Sequence, residues 1–268
     1  MQLSDIPTCI GDTFDTFNKM AGSSKWDPEI AGLCFVDLPT CGQLFFGTDW
    51  SNAINYGNTA RSFSGLGATV YSLTEVGKTI RNGKEKKTKF YVSALKGVKY
   101  GRSFLADLSK KKIIAIPGAC YIEKLSLVGK IAGIVASVLE LYDAFYVFYD
   151  SGKILDNLNG AKLTPKQEKL KLGCQSLRRE NFLILVKNIC SIVVAVFGSI
   201  SLVLIGASLV IGPTEAILNL IAGTSSFTKT FFGHYDYCGS KFENEKAKKE
   251  AIDLAKLAIQ KQFYPQTA

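Results

Sequence analysis

The sequence has little of what most enzyme and metal sites require. It contains one histidine, His234, in 268 residues, and its seven cysteines include no C-x-x-C pair. Zinc sites use closely spaced Cys and His, and disulfide frameworks use an even number of Cys, so both are disfavoured. Phosphate-binding glycine loops and G-x-S-x-G elbows are also missing. We therefore expect no catalytic residue, no metal site and no cofactor.

Two weaker constellations keep an enzymatic alternative open. His234 and Cys238 lie four residues apart, although a turn with a locally bonded histidine is the commoner explanation. Glu140 and Asp143 are spaced to share one helix face and could act as acid and base if buried. A soluble helical bundle with an unrecognised ligand or catalytic pocket is therefore one hypothesis.

Proline is scarce and a secretory signal is not recognised. Seven prolines in the whole chain favour a helix-rich fold. The segment Met1–Phe17 contains Ser and Thr but lacks the basic start and continuous apolar core of a secretory signal peptide. The odd, irregularly spaced cysteines indicate reduced thiols in a cytosol-like compartment.

Charge is missing from Asn188 to Thr214, a run of 27 residues. About 20 predominantly apolar residues suffice for a helix to cross a bilayer core. We expect this segment, and no other in the chain, to be long enough to do so. The alternative is a buried core helix in a soluble bundle.

Two membrane arrangements of this segment remain open. In the first, one helix runs from about residue 182 to residue 211 and stops at Gly212-Pro213. In the second, the chain bends at residues 198–201 and forms a hairpin with lobes 182–197 and 202–222. Basic residues flank both ends, and the hairpin keeps both flanks on one side, so charge favours the hairpin.

The net charge of +9 is distributed unevenly. Residues 1–50 carry seven acidic and two basic side chains, a balance of −5, which leaves +14 for the remainder. Residues 78–112 hold twelve Lys or Arg against two acids. This asymmetry favours contact with an anionic membrane surface, with a solvated basic surface as the alternative.

The basic stretch predicts an amphipathic helix. Tyr91, Leu95, Val98 and Leu105 fall on one face, with lysines beside or opposite them. Such a helix either lies in a lipid headgroup layer or packs its apolar stripe on the protein core. Its aromatic residues follow helical spacing and no nucleic-acid motif is present, so we expect no nucleic acid. The residues that we expect to contact anionic lipid are Lys84, Lys86, Lys87, Lys89, Lys96, Lys99, Arg102, Lys110, Lys111 and Lys112.

A second long helix is expected around residues 131–149, where only Glu140 and Asp143 are charged. These carboxylates would be costly in hydrocarbon, so the sequence favours a buried or membrane-surface helix over a span. The aromatics between residues 142 and 149 form either an interfacial belt or core packing. Small residues that would let another helix approach closely are Gly129, Ala132, Gly133 and Ala136.

The last part of the chain predicts an amphipathic helix with an apolar stripe. Its counterpart is a helix of this chain or of another, and we expect a protein partner to bind here. Self-association of the chain is also left open. The residues of the stripe are Ala251, Ile252, Ala255, Ala258 and Ile259.

The predicted fold class is mainly α: a helical, membrane-associated protein with an apolar hairpin or single span late in the chain and an amphipathic C-terminal helix. Four regions follow from the composition. They are an irregular acidic segment (1–50), a helical region (51–180), a membrane-inserting segment (181–227) and a soluble C-terminal helix (228–268).

This combination resembles the inclusion membrane proteins of chlamydiae. The similarity rests on the Ser/Thr-containing start without a signal peptide (Met1–Phe17), the bilobed apolar stretch (Phe182–Ala222) and the soluble helical tail. The resemblance implies type III secretion into the vacuole membrane around the bacterium, with both soluble ends in host cytosol. It also implies a non-enzymatic interaction scaffold with membrane lipid and protein partners.

A membrane-remodelling protein that acts through amphipathic helices is the alternative function. Its basis is a fainter likeness to the peroxisomal membrane-elongation proteins, which share length, basic charge and amphipathic helices with this chain.

Overall fold

The computed structural model describes residues 33–81, 87–110, 113–114, 119–159, 163–203, 208–235, 242 and 244–263. Every regular element in these ranges is helical, so the predicted mainly α class is confirmed. A π-helical turn, Leu33–Asp37, leads into the first α-helix. The α-helices are α1 (Leu38–Phe46), α2 (Ser51–Arg81), α3 (Lys87–Lys110), α4 (Ala119–Leu158), α5 (Pro165–Val203), α6 (Ser208–Tyr235) and α7 (Glu245–Phe263).

Local sequence signals set where α5 and α7 begin. The backbone N–H of Thr164 donates to Gln167 Oε1 at 2.9 Å, and that of Gln167 donates back to Thr164 Oγ1 at 3.4 Å. This reciprocal capping satisfies two amides that would otherwise lack partners, and Pro165 suits the first helical position. At α7, Asn244 Oδ1 accepts a hydrogen bond of 2.9 Å from the Ala247 amide.

The chain divides into two compact units, each assembled from separate stretches of sequence. The tail unit comprises the described parts of Tyr142–Leu185 and Phe227–Ala268. The apolar unit comprises the described parts of Lys25–Leu141 and Val186–Ser226. Helices α4 and α5 contribute to both units. The predicted region boundaries at 180–181 and 227–228 therefore fall inside α5 and α6.

The tail unit has a core of aliphatic side chains from three helices. Ile154 and Leu155 come from α4, Leu177 from α5 and Ile259 from α7, and all four are buried. Ala251 and Ala255 on α7 are fully buried. The predicted apolar stripe of the C-terminal helix is therefore covered by helices of this same chain.

Within the tail unit, α4 and α5 run antiparallel. The rings of Phe148 and Phe182 are 6.1 Å apart, whereas Gly152, one turn further along α4, lies against the earlier residue Arg178. Helix α6 also meets α5 here, since the Arg179 guanidinium lies 4.4 Å from the centre of the Phe232 ring. An arginine over an aromatic face is attracted by the ring quadrupole.

Polar contacts fix the start of α7 in the tail unit. The Lys248 ammonium donates to the Gly233 carbonyl at 2.5 Å, and the Lys169 ammonium donates to the Glu250 carboxylate. The hydrogen bond from Lys169 lowers the pKa of the Glu250 carboxyl from its ordinary value. Both partners of this pair are substantially exposed, so it contributes modestly to stability.

The apolar unit is held by unusually close approaches between helices. A Cβ at Gly65 on α2 would overlap the Tyr100 ring of α3, and one at Gly97 would lie 2.9 Å from the Thr69 methyl. On α4, a Cβ at Gly133 would lie 3.2 Å from the Lys99 side chain. Glycine lets the helices approach closely here, most of all at Gly65, where a Cβ would lie 2.4 Å from atoms of the Tyr100 ring.

The apolar stretch differs from prediction in where its helices end. Helix α5 passes unbroken through the expected bend at residues 198–201, where the Ser199 hydroxyl donates to the Ala195 carbonyl at 2.7 Å. Helix α6 continues through the expected stop at Gly212-Pro213. Pro213 lies in the second turn of α6, where its missing N–H removes one backbone hydrogen bond, and the helix nevertheless continues to Tyr235. Residues 204–207, between α5 and α6, lie outside the described ranges.

Gly173 provides a test of how α7 docks. A Cβ at this position would overlap the backbone carbonyl of Ala251, which cannot move without shifting α7. We expect Gly173→Ala to reduce the free energy of unfolding by about 1–3 kcal/mol, the usual cost of overpacking. Thermal unfolding of the full-length chain in detergent measures this change.

The matched control is Gly67→Ala on α2, where a Cβ meets no atom within 4 Å. This substitution should be neutral or stabilising by about 0.5–1 kcal/mol, because alanine favours helix. Equal melting temperatures for the two variants would contradict the close approach of α5 and α7.

The Lys169–Glu250 pair predicts a pH-dependent contribution to stability. Because the folded-state pKa of Glu250 is lowered, the contribution is present at neutral pH and is lost as pH falls through that pKa. We expect Glu250→Gln to melt slightly below the unmodified chain at about pH 7, and the difference to vanish near about pH 3. Asp253→Asn removes an exposed carboxylate from the same helix and serves as the charge control. A difference that persists at low pH would argue against the pair.

Candidate membrane-inserting helix bundle

The interior of the apolar unit is made of small and polar side chains. Large apolar side chains that are buried there include only Leu33, Val92 and Tyr100 among the described residues. The small and polar residues buried in this unit include Ser62, Thr69, Ser93, Ala132, Ala136, Ser137, Asn188, Cys190, Ala216, Ala222, Ser225 and Ser226. A water-soluble core is normally built the other way, from large aliphatic and aromatic side chains.

Large apolar side chains instead point outward from the helices of this unit. In the stripes named below, their exposed fractions run from 41% at Ile221 to 73% at Tyr56. They form stripes on single helix faces, because they recur at spacings of three, four or seven residues. The stripes are Tyr56, Phe63 and Val70 on α2; Tyr91, Val98 and Leu105 on α3; Val128, Ile131, Val135 and Val138 on α4; Ile189 and Val196 on α5; and Ile217 and Ile221 on α6.

This polarity is typical of helices that pack against one another in lipid. Lipid tails are as apolar as leucine, so association there relies on close packing of small residues and on hydrogen bonds between helices. Large apolar side chains are then free to face the tails. The tail unit differs, because Ile154, Leu155, Leu177 and Ile259 give it a core of large aliphatic side chains.

Two helices are long and apolar enough to cross a membrane, namely Leu127–Leu158 within α4 and Pro165–Ser199 within α5. In each, 17% of the most apolar window is buried inside the protein, whereas the core helix of a soluble protein is mostly buried. The expectation that no segment besides 188–214 could span was therefore wrong. The sequence favoured burial or surface attachment of α4 because of Glu140 and Asp143.

The partner of Glu140 explains how α4 accommodates a carboxylate. The Lys96 ammonium of α3 donates to Glu140 Oε1 at 2.5 Å, and both side chains are half-buried. A charge inside a membrane bundle is tolerated when it faces an opposite charge. Asp143 is exposed.

A second polar contact joins α4, α5 and α6. The Lys130 ammonium of α4 donates to the Gly198 carbonyl of α5 and attracts the Glu215 carboxylate of α6. A Cβ at Gly198 would lie 3.0 Å from Lys130 Nζ and 3.2 Å from Glu215 Oε1, so glycine leaves room for both groups. Glu215, which interrupts the second apolar lobe, is half-buried beside a cation.

The predicted lipid-contact residues occupy different environments. Lys96, Lys99 and Arg102 are half-buried; Lys99 lies against Gly133 and Arg102 against Gly129 of α4. The Lys99 ammonium also lies 5.1 Å from the centre of the Tyr100 ring. Lys87, Lys89 and Lys110 belong to α3. Lys84, Lys86, Lys111 and Lys112 lie outside the described residues. Lipid contact by this set remains a prediction.

The predicted packing residues face α3 in part. Gly129, Ala132 and Ala136 are buried and Gly133 is half-buried. The two glycines receive the long side chains of Arg102 and Lys99. Sequence periodicity showed that α3 is amphipathic but not that its basic side turns inward. The seven-residue spacing of Tyr91, Val98 and Leu105 was the available signal, because it marks one continuous outward face.

The candidate catalytic groups give little to build chemistry on. Cys238 lies outside the described residues, and His234 falls in the last turn of α6. Among the described residues, no group of three or more His, Cys, Asp or Glu side chains could hold a metal ion.

Comparison with known proteins finds no counterpart. No protein-family model, no curated protein and no solved structure matches this chain.

The Lys130–Glu215 contact predicts a recoverable defect. Glu215→Leu leaves the ammonium of Lys130 without its carboxylate, and Lys130→Met does the converse, so each alone should lower the melting temperature. The double variant removes both charges and should recover most of the loss, with a coupling of about 1 kcal/mol. Thermal unfolding of the four proteins in detergent measures the coupling. Additive losses would show that the two charges do not interact.

Proposed function

We propose that this chain is a membrane-anchored, non-enzymatic interaction protein. The apolar unit is the anchor, and the tail unit offers the surface for a protein partner. The observation that carries the proposal is the reversed polarity of the apolar unit, with Asn188 and Ser226 among its most buried side chains and stripes of Val, Ile, Leu, Phe and Tyr outside.

A bilayer is the occupant that fits these stripes best. Soluble monomers rarely expose contiguous apolar surface beyond a few hundred Å². Here five helices each carry such a stripe, from α2 to α6. One protein partner would cover one face, whereas lipid tails contact all faces of a helix bundle. Helices also satisfy their own backbone hydrogen bonds, as hydrocarbon requires.

The course of α5 and α6 supports the hairpin over the single span. Arg179 of α5 contacts Phe232 late in α6, whereas Gly198 lies beside Glu215 near the start of α6. Within the apolar unit the end of α5 thus lies beside the start of α6, as a hairpin requires. Basic residues precede the apolar part of α5, and others follow the apolar part of α6. Because basic flanks stay on the cytosolic side of a membrane, both flanks are expected there.

This topology fits the resemblance to inclusion membrane proteins, in which both soluble ends face host cytosol. We extend the proposal to that setting: a type III secreted protein in the membrane of a pathogen-containing vacuole. The partner would bind the outward face of the tail unit, since Ala251 and Ala255 on the inward face of α7 are already covered.

Membrane remodelling is the second candidate. It is favoured by α3, whose stripe of Tyr91, Val98 and Leu105 is exposed and could insert shallowly into one leaflet. Only this function requires the purified protein to tubulate liposomes.

A pair of lysine substitutions at equally exposed positions tests the anchor. Ile189 on α5 and Leu257 on α7 are each 51% exposed. In water, both changes to lysine would be nearly neutral. If Ile189 faces lipid, Ile189→Lys adds an ammonium to the lipid-facing surface near the start of the uncharged run, so it should weaken insertion, by less than the about 2.5–3.5 kcal/mol that a lysine costs at the membrane centre. Resistance of the expressed full-length chain to alkaline carbonate is the measurement.

We expect the unmodified chain and Leu257→Lys to remain in the membrane pellet and Ile189→Lys to be partly released. Release of the unmodified chain would contradict a lipid-facing α5 and favour the soluble bundle. Equal recovery of both variants, with improved solubility in the absence of detergent, would lead to the same conclusion.

A further inference from the structure

The first helix of the apolar unit, α1, has neither a charged nor a buried side chain. No Asp, Glu, Lys, Arg or His occurs from residue 38 to residue 48, and the described part of the chain buries none of the side chains of α1. Phe46, at the end of this helix, is 82% exposed, more than any other large apolar side chain among the described residues. The other exposed apolar side chains of α1 are Leu38, Leu44 and Phe45.

Apolar side chains surround the end of α1 instead of lining one face. Successive residues of an α-helix point about 100° apart, so Leu44, Phe45 and Phe46 project in three different directions. A helix that binds in a protein groove carries its anchors on one face, at positions i, i+3, i+4 and i+7. A lipid layer, in contrast, contacts an inserted helix from several sides. The arrangement therefore favours lipid over a protein groove as the surroundings of this helix end.

The indole of Trp50 lies against α1, and its only hydrogen-bond donor has a partner within the chain. A Cβ at Gly42 would lie 3.5 Å from Trp50 Nε1, and this nitrogen donates to Thr48 Oγ1 at 2.7 Å. The end of the helix is closed in a similar way, because the Gly47 amide, at a φ of 67°, donates to the Gln43 carbonyl at 3.2 Å. An apolar layer admits backbone and indole N–H groups when their hydrogen bonds are made internally, as they are here.

Asp49 marks the aqueous edge of this surface. Its carboxylate accepts a hydrogen bond of 3.0 Å from the Ser51 amide, and this bond lowers the pKa of the Asp49 carboxyl, so the group is ionised at neutral pH. Because an ionised group is costly in hydrocarbon, Asp49 belongs on the water side. Trp50 follows directly, and tryptophan is enriched where membrane and water meet. The sequence thus changes from uncharged helix to carboxylate and indole within a few residues.

The π-helical turn before α1 attaches this helix to the rest of the apolar unit. Asp37 is buried, and its Oδ1 atom lies 3.8 Å from the guanidinium of Arg61 on α2. A Cβ at Gly223 on α6 would lie 2.9 Å from the Leu33 Cβ, so the turn and α6 are in close contact. Helix α1 is therefore held on a bundle whose helices α2 to α6 all carry exposed apolar stripes. Its exposed side chains add to the surface that the proposed function assigns to lipid.

We propose that α1 and Trp50 lie in the membrane interface and form a second, non-spanning lipid contact of the anchor. The nine residues of α1 extend about 14 Å, whereas a hydrocarbon core is about 30 Å thick, so this helix is too short to cross. Its partner is the boundary between the headgroups and the acyl chains of one leaflet, where Trp and Phe side chains insert shallowly. The inference rests on the proposed membrane anchor.

Trp50 can report on its own surroundings. The chain contains two tryptophans, so Trp26→Phe leaves Trp50 as the only one. The full-length variant is reconstituted in liposomes, and its fluorescence is quenched either by iodide in the water or by phospholipids brominated near the headgroup end or near the far end of the acyl chain. We expect emission at short wavelength, weak quenching by iodide and the strongest quenching by bromine near the headgroup end. Stronger quenching by bromine at the far end would place α1 in the bilayer interior and overturn the interfacial position.

Two further reporters separate this inference from the anchor itself. In a chain without its native tryptophans, Ile189→Trp reports on α5 and Leu257→Trp reports on α7, at positions that are each 51% exposed. The anchor predicts that brominated lipid quenches the first reporter and iodide the second. If brominated lipid quenches the Ile189→Trp reporter while iodide alone quenches Trp50, the inference about α1 is overturned and the anchor stands. If iodide alone quenches both, the two fail together.

Substitutions at Phe46 test whether the apolar end of α1 holds Trp50 in lipid. Phe46→Glu places a carboxylate at the exposed end and should abolish most of the quenching of Trp50 by brominated lipid, whereas Phe46→Leu stays apolar and should keep it. Because Phe46 is 82% exposed, both variants should retain the melting temperature of the parent chain. Equal quenching in the two variants would overturn the proposal. A Trp50 that neither iodide nor brominated lipid quenches would also overturn it, since a protein partner or a second copy of the chain would then cover α1.

Discussion

Close packing of helices through small and polar side chains is the constraint on which the rest of the structure depends. Where α2 meets α3, Gly65 lies under the Tyr100 ring and Gly97 under Thr69. Where α3 meets α4, Gly129 and Gly133 receive Arg102 and Lys99. With the inner faces reserved for small residues, the large apolar side chains of the same helices have only the outer surface left. The apolar exterior is thus a consequence of the small-residue interior. Helices that pack against one another in lipid have this combination.

The same close approach decides where charge can reside. Lys96 reaches Glu140 from α3, and Lys130 reaches the Gly198 carbonyl and Glu215 across α4, α5 and α6. Lys96 and Glu140 are 44 residues apart in sequence and Lys130 and Gly198 are 68 apart, and each contact gives an ionisable group a partner on another helix. Polar contacts of this kind specify which helices associate, since unpaired charge in an apolar bundle is costly.

The sequence predicted where helices form better than it predicted which neighbouring helix each face packs against. The mainly α class and the tail helix follow from periodicity, as with Ala251, Ala255 and Ile259 of the predicted stripe, which are buried on α7. The spanning capacity of α4 was missed because Glu140 looked prohibitive, and its partner Lys96 lies 44 residues away. No pattern within either segment reveals such a pairing. The inward turn of the basic face of α3 was missed for the same reason, since periodicity defines faces but not their neighbours. The bend expected at residues 198–201 failed because Ser199 is satisfied within its own helix.

The central claim is that the outer face of the apolar unit contacts lipid, and nitroxide accessibility tests it most directly. A spin label would be attached at Ile189 or at Leu257 in a chain whose own cysteines are replaced, reconstituted in liposomes. Oxygen concentrates in hydrocarbon and a charged nickel complex in water, so their relaxation effects separate the two environments. The account predicts that the label at Ile189 is reached mainly by oxygen and the label at Leu257 mainly by nickel, although both positions are 51% exposed. A label at Ile189 that nickel reaches as readily as the label at Leu257 would contradict it.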